Sequence, residues 1–135
     1  MAAAAKTATP RREAPWRALF WLAVTAGVVL ALWPQPHPPR PWFPGADKLQ
    51  HALAFAALVW LGVRGGYRRA LVLVAGLLLL GAAIEVAQSF TATRTAEWLD
   101  WLADAIGIAF GAAAVQIEAR RRATRSPGLE QEHGG

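Results

Sequence analysis

Asp47, Lys48 and His51, then Glu85 and Gln88, then Arg94, Asp100 and Asp104 are the side chains in this chain whose type and spacing can do chemistry. Most of them interrupt otherwise apolar stretches, and Lys48 with His51, Glu85 with Gln88, and Asp100 with Asp104 stand three or four residues apart, which puts each pair on one face of a helix. Carboxylates beside an ammonium, an imidazole and a guanidinium support three different roles. They can form a closed network of ion pairs, a receptor for a polar headgroup, or a general acid–base pair built from His51 with Glu85 or Asp104. Nucleophilic catalysis finds no serine motif, since nothing near Ser89 marks it as activated. No HExxH spacing occurs and the chain has no cysteine, so no metal site and no cofactor is expected from the motifs. His37, in a proline-rich segment, has no assigned partner.

The elements that must position these groups follow from composition. Of the 135 residues, 55% are hydrophobic and only 17% charged. The charges gather in an N-terminal arm, in "RGGYRR" at 64–69 and in "ARRRATR" at 119–125. Long apolar runs with basic flanks describe an all-α, polytopic membrane protein of one domain. The net charge of +5 belongs to those flanks, and no aromatic–basic platform or helix-turn-helix pattern points to nucleic acid. The expected layout is a flexible arm over 1–15, helices over about 17–33, 47–64, 70–90 and 97–117, and a disordered basic tail over 118–135. A cleaved signal peptide competes for the first apolar run, but "ALWPQP" is a poor cleavage context. Six prolines between positions 34 and 45 make the first connection a stiff spacer. Asp47 followed by Gln50 resembles a helix-capping pair.

Placing both termini in the cytoplasm puts eleven basic residues inside and leaves Arg40, Lys48 and Arg94 outside, out of the total of 14. That bias favours a four-transmembrane-helix bundle in a bacterial plasma membrane. All the membrane-associated polar groups then fall in the outer leaflet. Glu85 is the deepest, ~8 Å below the outer end of its helix at 1.5 Å per residue. Gln88 shares its face, and Arg94 is expected to pair with Glu85 or Asp100. On the fourth helix Glu97, Asp100 and Asp104 form a descending acidic stripe. Ala103, Gly107 and Gly111 recur every four residues beside it, a spacing that lets helices approach closely. Trp98 and Trp101 suit an interfacial belt.

With those residues in place, "DKLQHALAF" (47–55), "IEVAQSF" (84–90), Arg94 and "DWLADAIGIAFG" (100–111) together resemble the VanZ-like family of small bacterial membrane proteins. That family pairs Asp-Lys with a His three residues after the Lys and an aromatic four further on. It carries Glu-x-x-Gln before an external Arg, and an Asp followed by Asn and spaced glycines. Two positions depart from it: the Asn is Asp104 here, and the Pro-Gly before the Arg is Ala92-Thr93. The resemblance implies a role at the cell envelope, where the family's namesake is associated with reduced susceptibility to the glycopeptide teicoplanin. No settled activity comes with it.

The expected function is therefore an integral membrane protein whose outward polar cluster binds or senses an envelope component, such as a lipid-linked headgroup or a glycopeptide-type compound. A membrane-embedded hydrolase or transferase acting on a lipid-linked substrate is one alternative. A structural partner for another membrane protein is the other. The bilayer is the one partner the sequence names, and the oligomeric state stays open.

Overall fold

The computed structural model describes residues 12–34, 42–91 and 97–125. It consists of four helices in chain order: α1 (Ala14–Leu32), α2 (Ala46–Arg64), α3 (Ala70–Ser89) and α4 (Trp98–Arg125). No strand occurs among the described residues. Arg94, His37, Ala92, Thr93, the arm before residue 12 and the tail after residue 125 lie outside them.

Local chemistry explains the ends. Pro15 stands in the first turn of α1, where its missing N–H removes a donor that has no helical partner anyway. The start of α2 differs from the expected capping pair. Gly45, with φ +85°, occupies the N-cap and no side chain caps the helix, so Asp47 and Gln50 sit inside the first turns instead. The α2 C-terminus closes on Gly65 and Gly66, the latter at φ +88°. Gly65 N–H donates to the Leu61 carbonyl at 2.8 Å and Tyr67 N–H to that of Gly62 at 3.1 Å, which occupies carbonyls the helix leaves open.

The last helix is longer than its apolar run. It continues through residues 118–125, which the sequence assigns to the tail. Glu118 there pairs with Arg122 one turn on and accepts from Arg64 Nη2 at 2.7 Å. A salt bridge along the helix and an anchor on α2 thus extend α4 past the point where hydrophobicity alone ends it.

The chain runs up, down, up and down. The most intimate pair, α2 with α4, is parallel. His51 meets Asp104 across 53 residues of sequence and Arg64 meets Glu118 across 54, at opposite ends of the seam. A nearly constant separation is what two parallel helices in fixed register require. Their closeness depends on glycine. A Cβ added to Gly107 would stand 2.7 Å from the Cα of Ala52, and one on Gly111 would stand 3.0 Å from that of Ala56. Small residues at this interval allow backbone-to-backbone approach, and Ala103, buried to 7% exposure, continues the same face. The core lies between the helices, formed by Phe20, Phe55, Leu58, Val59, Leu73, Leu77 and Ile108.

Outside that core the apolar surface is uncovered. Leu71 is 86% exposed, Leu79 71% and Phe110 71%, on a scale that soluble domains do not leave in water. Three helices, α1, α3 and α4, are long and apolar enough to cross a membrane. At 19 residues, α2 has the length, ~28 Å at 1.5 Å per residue, but Asp47, Lys48, Gln50 and His51 make its first turns polar.

Candidate functional site

The parallel register brings the N-termini of α2 and α4 together at one end of the bundle, with the C-terminal half of α3 beside them. Both helix starts carry acids, Asp47 on α2 and Asp100 on α4. Negative charge is favoured there by the exposed amide dipoles. Lys48 is the hub. Its Nζ lies 2.9 Å from Asp47 Oδ2, 2.9 Å from Glu97 Oε2 and 3.2 Å from Asp100 Oδ1. Asp47, Glu97 and Asp100 offer oxygens close enough together to hold a cation, but the lysine ammonium already sits among them and does the neutralising.

One turn further in, His51 Nδ1 and Asp104 Oδ1 are 2.8 Å apart. The aspartate is 1% exposed and the most enclosed ionisable group among the described residues. The reason lies on α3. Gly81 faces the carboxylate so closely that a Cβ there would meet Asp104 Oδ2 at 2.6 Å. A missing side chain on α3 makes the chamber that the α2–α4 seam then closes. The bond through Nδ1 leaves Nε2 of the half-buried imidazole with no hydrogen bond among the described residues. An imidazole oriented through one nitrogen by a carboxylate presents the other as a proton acceptor or donor.

Glu85 reaches this assembly from α3. Its Oε2 accepts a hydrogen bond from the backbone N–H of Glu97 at 2.9 Å, a donor that the start of α4 leaves unpaired. The other oxygen, Oε1, is buried and has no donor among the described residues, and Asp100 Oδ1 also makes no hydrogen bond although Lys48 lies 3.2 Å away. Five carboxyl groups, those of Asp47, Glu85, Glu97, Asp100 and Asp104, thus surround one lysine and one histidine, and two of their buried oxygens still have acceptor capacity.

Of the residues expected from sequence, the structure brings together Asp47, Lys48, His51, Glu85, Asp100 and Asp104. Gln88 belongs elsewhere. It is 4% exposed and its amide donates to the Ala31 carbonyl at 3.0 Å. Three residues on a helix leave a 60° offset, enough at this position to turn Gln88 from α4 toward α1. There it satisfies one of the carbonyls that the last turn of α1 leaves open. Among the described residues the hydrogen bond that Glu85 makes is the backbone contact to Glu97, and of the two candidate acid–base partners of His51 it is Asp104 that touches it. The expected pairing of Arg94 lies outside the described residues.

Two participants are clearer in space than in sequence. Glu97 serves the site twice, through its side chain on Lys48 and its amide on Glu85, and its place three residues before Asp100 was the available signal. Gly81 gave no polar signal at all. Trp101 is only partly a belt residue, because its indole N–H donates to the Leu78 carbonyl at 3.2 Å and ties α4 to α3. Trp98, 72% exposed, faces outward.

Compared with known proteins, the family model described as VanZ/LLP1 matches residues 8–118, which take in α1, α2, α3 and all but the last turns of α4. No curated protein and no solved structure matches the chain.

Proposed function

Because the chain belongs to the VanZ/LLP1 family and carries helices apolar enough to cross a membrane, we propose that it is an integral membrane protein of the cell envelope that binds a donor-rich headgroup at its polar cluster. In this reading α2 is a fourth crossing, both termini are cytoplasmic and the cluster faces outward in the plasma membrane. The positive-inside distribution of Lys and Arg supports the orientation.

One observation carries the choice of ligand. Glu85 Oε1 is a buried acceptor without a hydrogen bond among the described residues, and the buried Asp100 Oδ1 has the Lys48 ion pair but no hydrogen bond. A buried polar atom left unpaired is costly, and ionisable groups at membrane depth ordinarily face a partner or a cavity. Five carboxyl groups repel an anion, so the cluster suits hydroxyl, amide N–H or ammonium donors. Lipid-linked amino sugars and glycopeptide-type compounds present such donors. The separating variant is Glu85→Gln, which keeps the size and the acceptor for Glu97 N–H but replaces the free carboxylate oxygen by an amide. It is expected to reach the membrane at near-normal levels. Wild-type protein in micelles, titrated separately with teicoplanin and with a polyprenyl-linked disaccharide, should gain stability by mass action, about 2.7 kcal/mol at a hundredfold excess over Kd. Glu85→Gln should lose that gain. A variant that is degraded, and whose function returns when a second substitution restores its abundance, would show that Glu85 holds the bundle and recognises nothing.

A second reading rests on His51 and Asp104. With Nδ1 held by a buried carboxylate, Nε2 has the arrangement of a general base, as a hydrolase or transferase acting on a lipid-linked substrate requires. Cleavage of the same polyprenyl-linked disaccharide by wild type, lost in His51→Gln, supports that reading. Binding without turnover rejects it.

A further inference from the structure

At the end of the bundle away from the acidic cluster, a groove of about 490 Å³ opens between α1 and α3. Its volume lies within the range of small-molecule sites. The walls are apolar, with Phe20, Val24, Leu77 and Leu80 among them, so the space is not a site for ordered water, which needs several polar partners. Gly76 lies in the same wall, and a Cβ placed on it would find nothing within 4 Å. Phe20 and Leu77, 5% and 3% exposed, belong to the packed core, which makes the groove a fixed feature.

The mouth has the opposite character. Tyr67, Arg68 and Arg69 line it. Trp21 Nε1 donates to the Tyr67 hydroxyl oxygen at 2.8 Å, which occupies a lone pair and leaves the tyrosine O–H free to donate. Arg68 is held by Glu13 at 2.9 Å. Arg69 is exposed and has no ion-pair partner among the described residues. One free guanidinium and one free hydroxyl proton therefore stand at the rim of an apolar channel, and both are donors. That pairing favours an amphiphile with an anionic head and a hydrocarbon tail over one with a neutral or cationic head.

We propose that this groove holds one acyl chain of an anionic phospholipid whose phosphate is bound at Arg69 and Tyr67. Basic rims between membrane helices attract anionic lipid heads, and each arginine near the surface contributes about a five-fold preference. The site is separate from the acidic cluster and does not depend on its ligand.

The test is lipid retention by the full chain in dodecyl maltoside, read by native mass spectrometry with dioleoylphosphatidylglycerol, dioleoylphosphatidylcholine or inorganic phosphate added. Wild type should retain one phosphatidylglycerol, in preference to phosphatidylcholine by about five-fold or more. Arg69→Gln should cut that preference about five-fold and leave the Arg68–Glu13 pair in place. Gly76→Leu puts an apolar side chain along the groove wall from a Cβ position that meets nothing within 4 Å and improves helix propensity, so it should fold and lose the bound lipid. Equal retention of the two lipids overturns the proposal, as does wild-type retention of phosphatidylglycerol in Gly76→Leu. Competition by inorganic phosphate as effective as by the lipid also overturns it, because the chain then contributes nothing. Should Gly76→Leu fail to accumulate, the exposed Arg69→Gln decides alone: unchanged lipid preference refutes the assignment.

Discussion

Substituting Gly107 by alanine tests the α2–α4 seam, on which the site depends. The new methyl group would run into the Ala52 carbonyl oxygen, its nearest neighbour, and stand 2.7 Å from both Cα and C of Ala52, where carbon atoms settle at ~3.5–4.0 Å. Those are backbone atoms of a helix and cannot rotate aside, so the two helices must part by at least about 1 Å, the difference between those carbon distances. Overpacking of this kind costs about 1–3 kcal/mol. Gly76→Ala is the matched control, because it lies in α3 and its methyl group meets nothing within 4 Å. Alanine improves helix propensity equally at both positions, ~1 kcal/mol, so that gain cancels in the comparison. Gly107→Ala should therefore be less stable than Gly76→Ala by about 1–3 kcal/mol. Unfolding in mixed micelles by titration with dodecyl sulfate, followed by tryptophan fluorescence, measures the difference. The displacement should also lengthen the 2.8 Å contact between His51 and Asp104, since both residues hang on the parted helices. Equal stability of the two variants would refute the close parallel seam and with it the register that assembles the cluster.

The other expectations concern the same end of the bundle and the topology. His51→Gln and Asp104→Asn should be non-additive in unfolding free energy by about 0.5–3 kcal/mol, and additivity would show that the two groups do not touch. Lys48→Met removes the common partner of three carboxylates and should cost about 1–3 kcal/mol. Adding Asp100→Leu, which deletes the least exposed of the three, should recover part of that loss, and a further loss instead would contradict the Lys48–Asp100 ion pair. In intact cells, cysteines at His37 and Thr93 should react with a membrane-impermeant thiol reagent, and one at the exposed Arg69 should not. Labelling at position 69 from outside would invert the proposed orientation.

Helix existence was legible because it needs only local information. Apolar runs near the length of a bilayer crossing, bounded by Pro15, Gly45, Gly65 and Gly66, place all four helices to within a few residues at most ends. The exception, the far end of α4, depends on the contact of Glu118 with Arg64, 54 residues earlier, and no local pattern encodes that. Spacing of three and four residues likewise placed Lys48 with His51 and Asp100 with Asp104 on their helix faces. It could not rank their burial. The enclosure of Asp104 requires an absent side chain on a different helix, at Gly81, and a glycine in an apolar run carries no sign of what it admits.

The sequence by itself determined that this chain is helical, that its apolar faces need a lipid-like surrounding, and which ionisable groups are set into them, because hydrophobic length and side-chain period are properties of single segments. Tertiary structure decided the partners. Packing α2 parallel to α4 in one register joined His51 to Asp104 and Lys48 to Glu97 and Asp100, and a small angular offset turned Gln88 toward α1 while Glu85 met the start of α4. Those choices follow from how closely two backbones can approach at Gly107 and Gly111, a property of pairs of helices that neither helix carries alone.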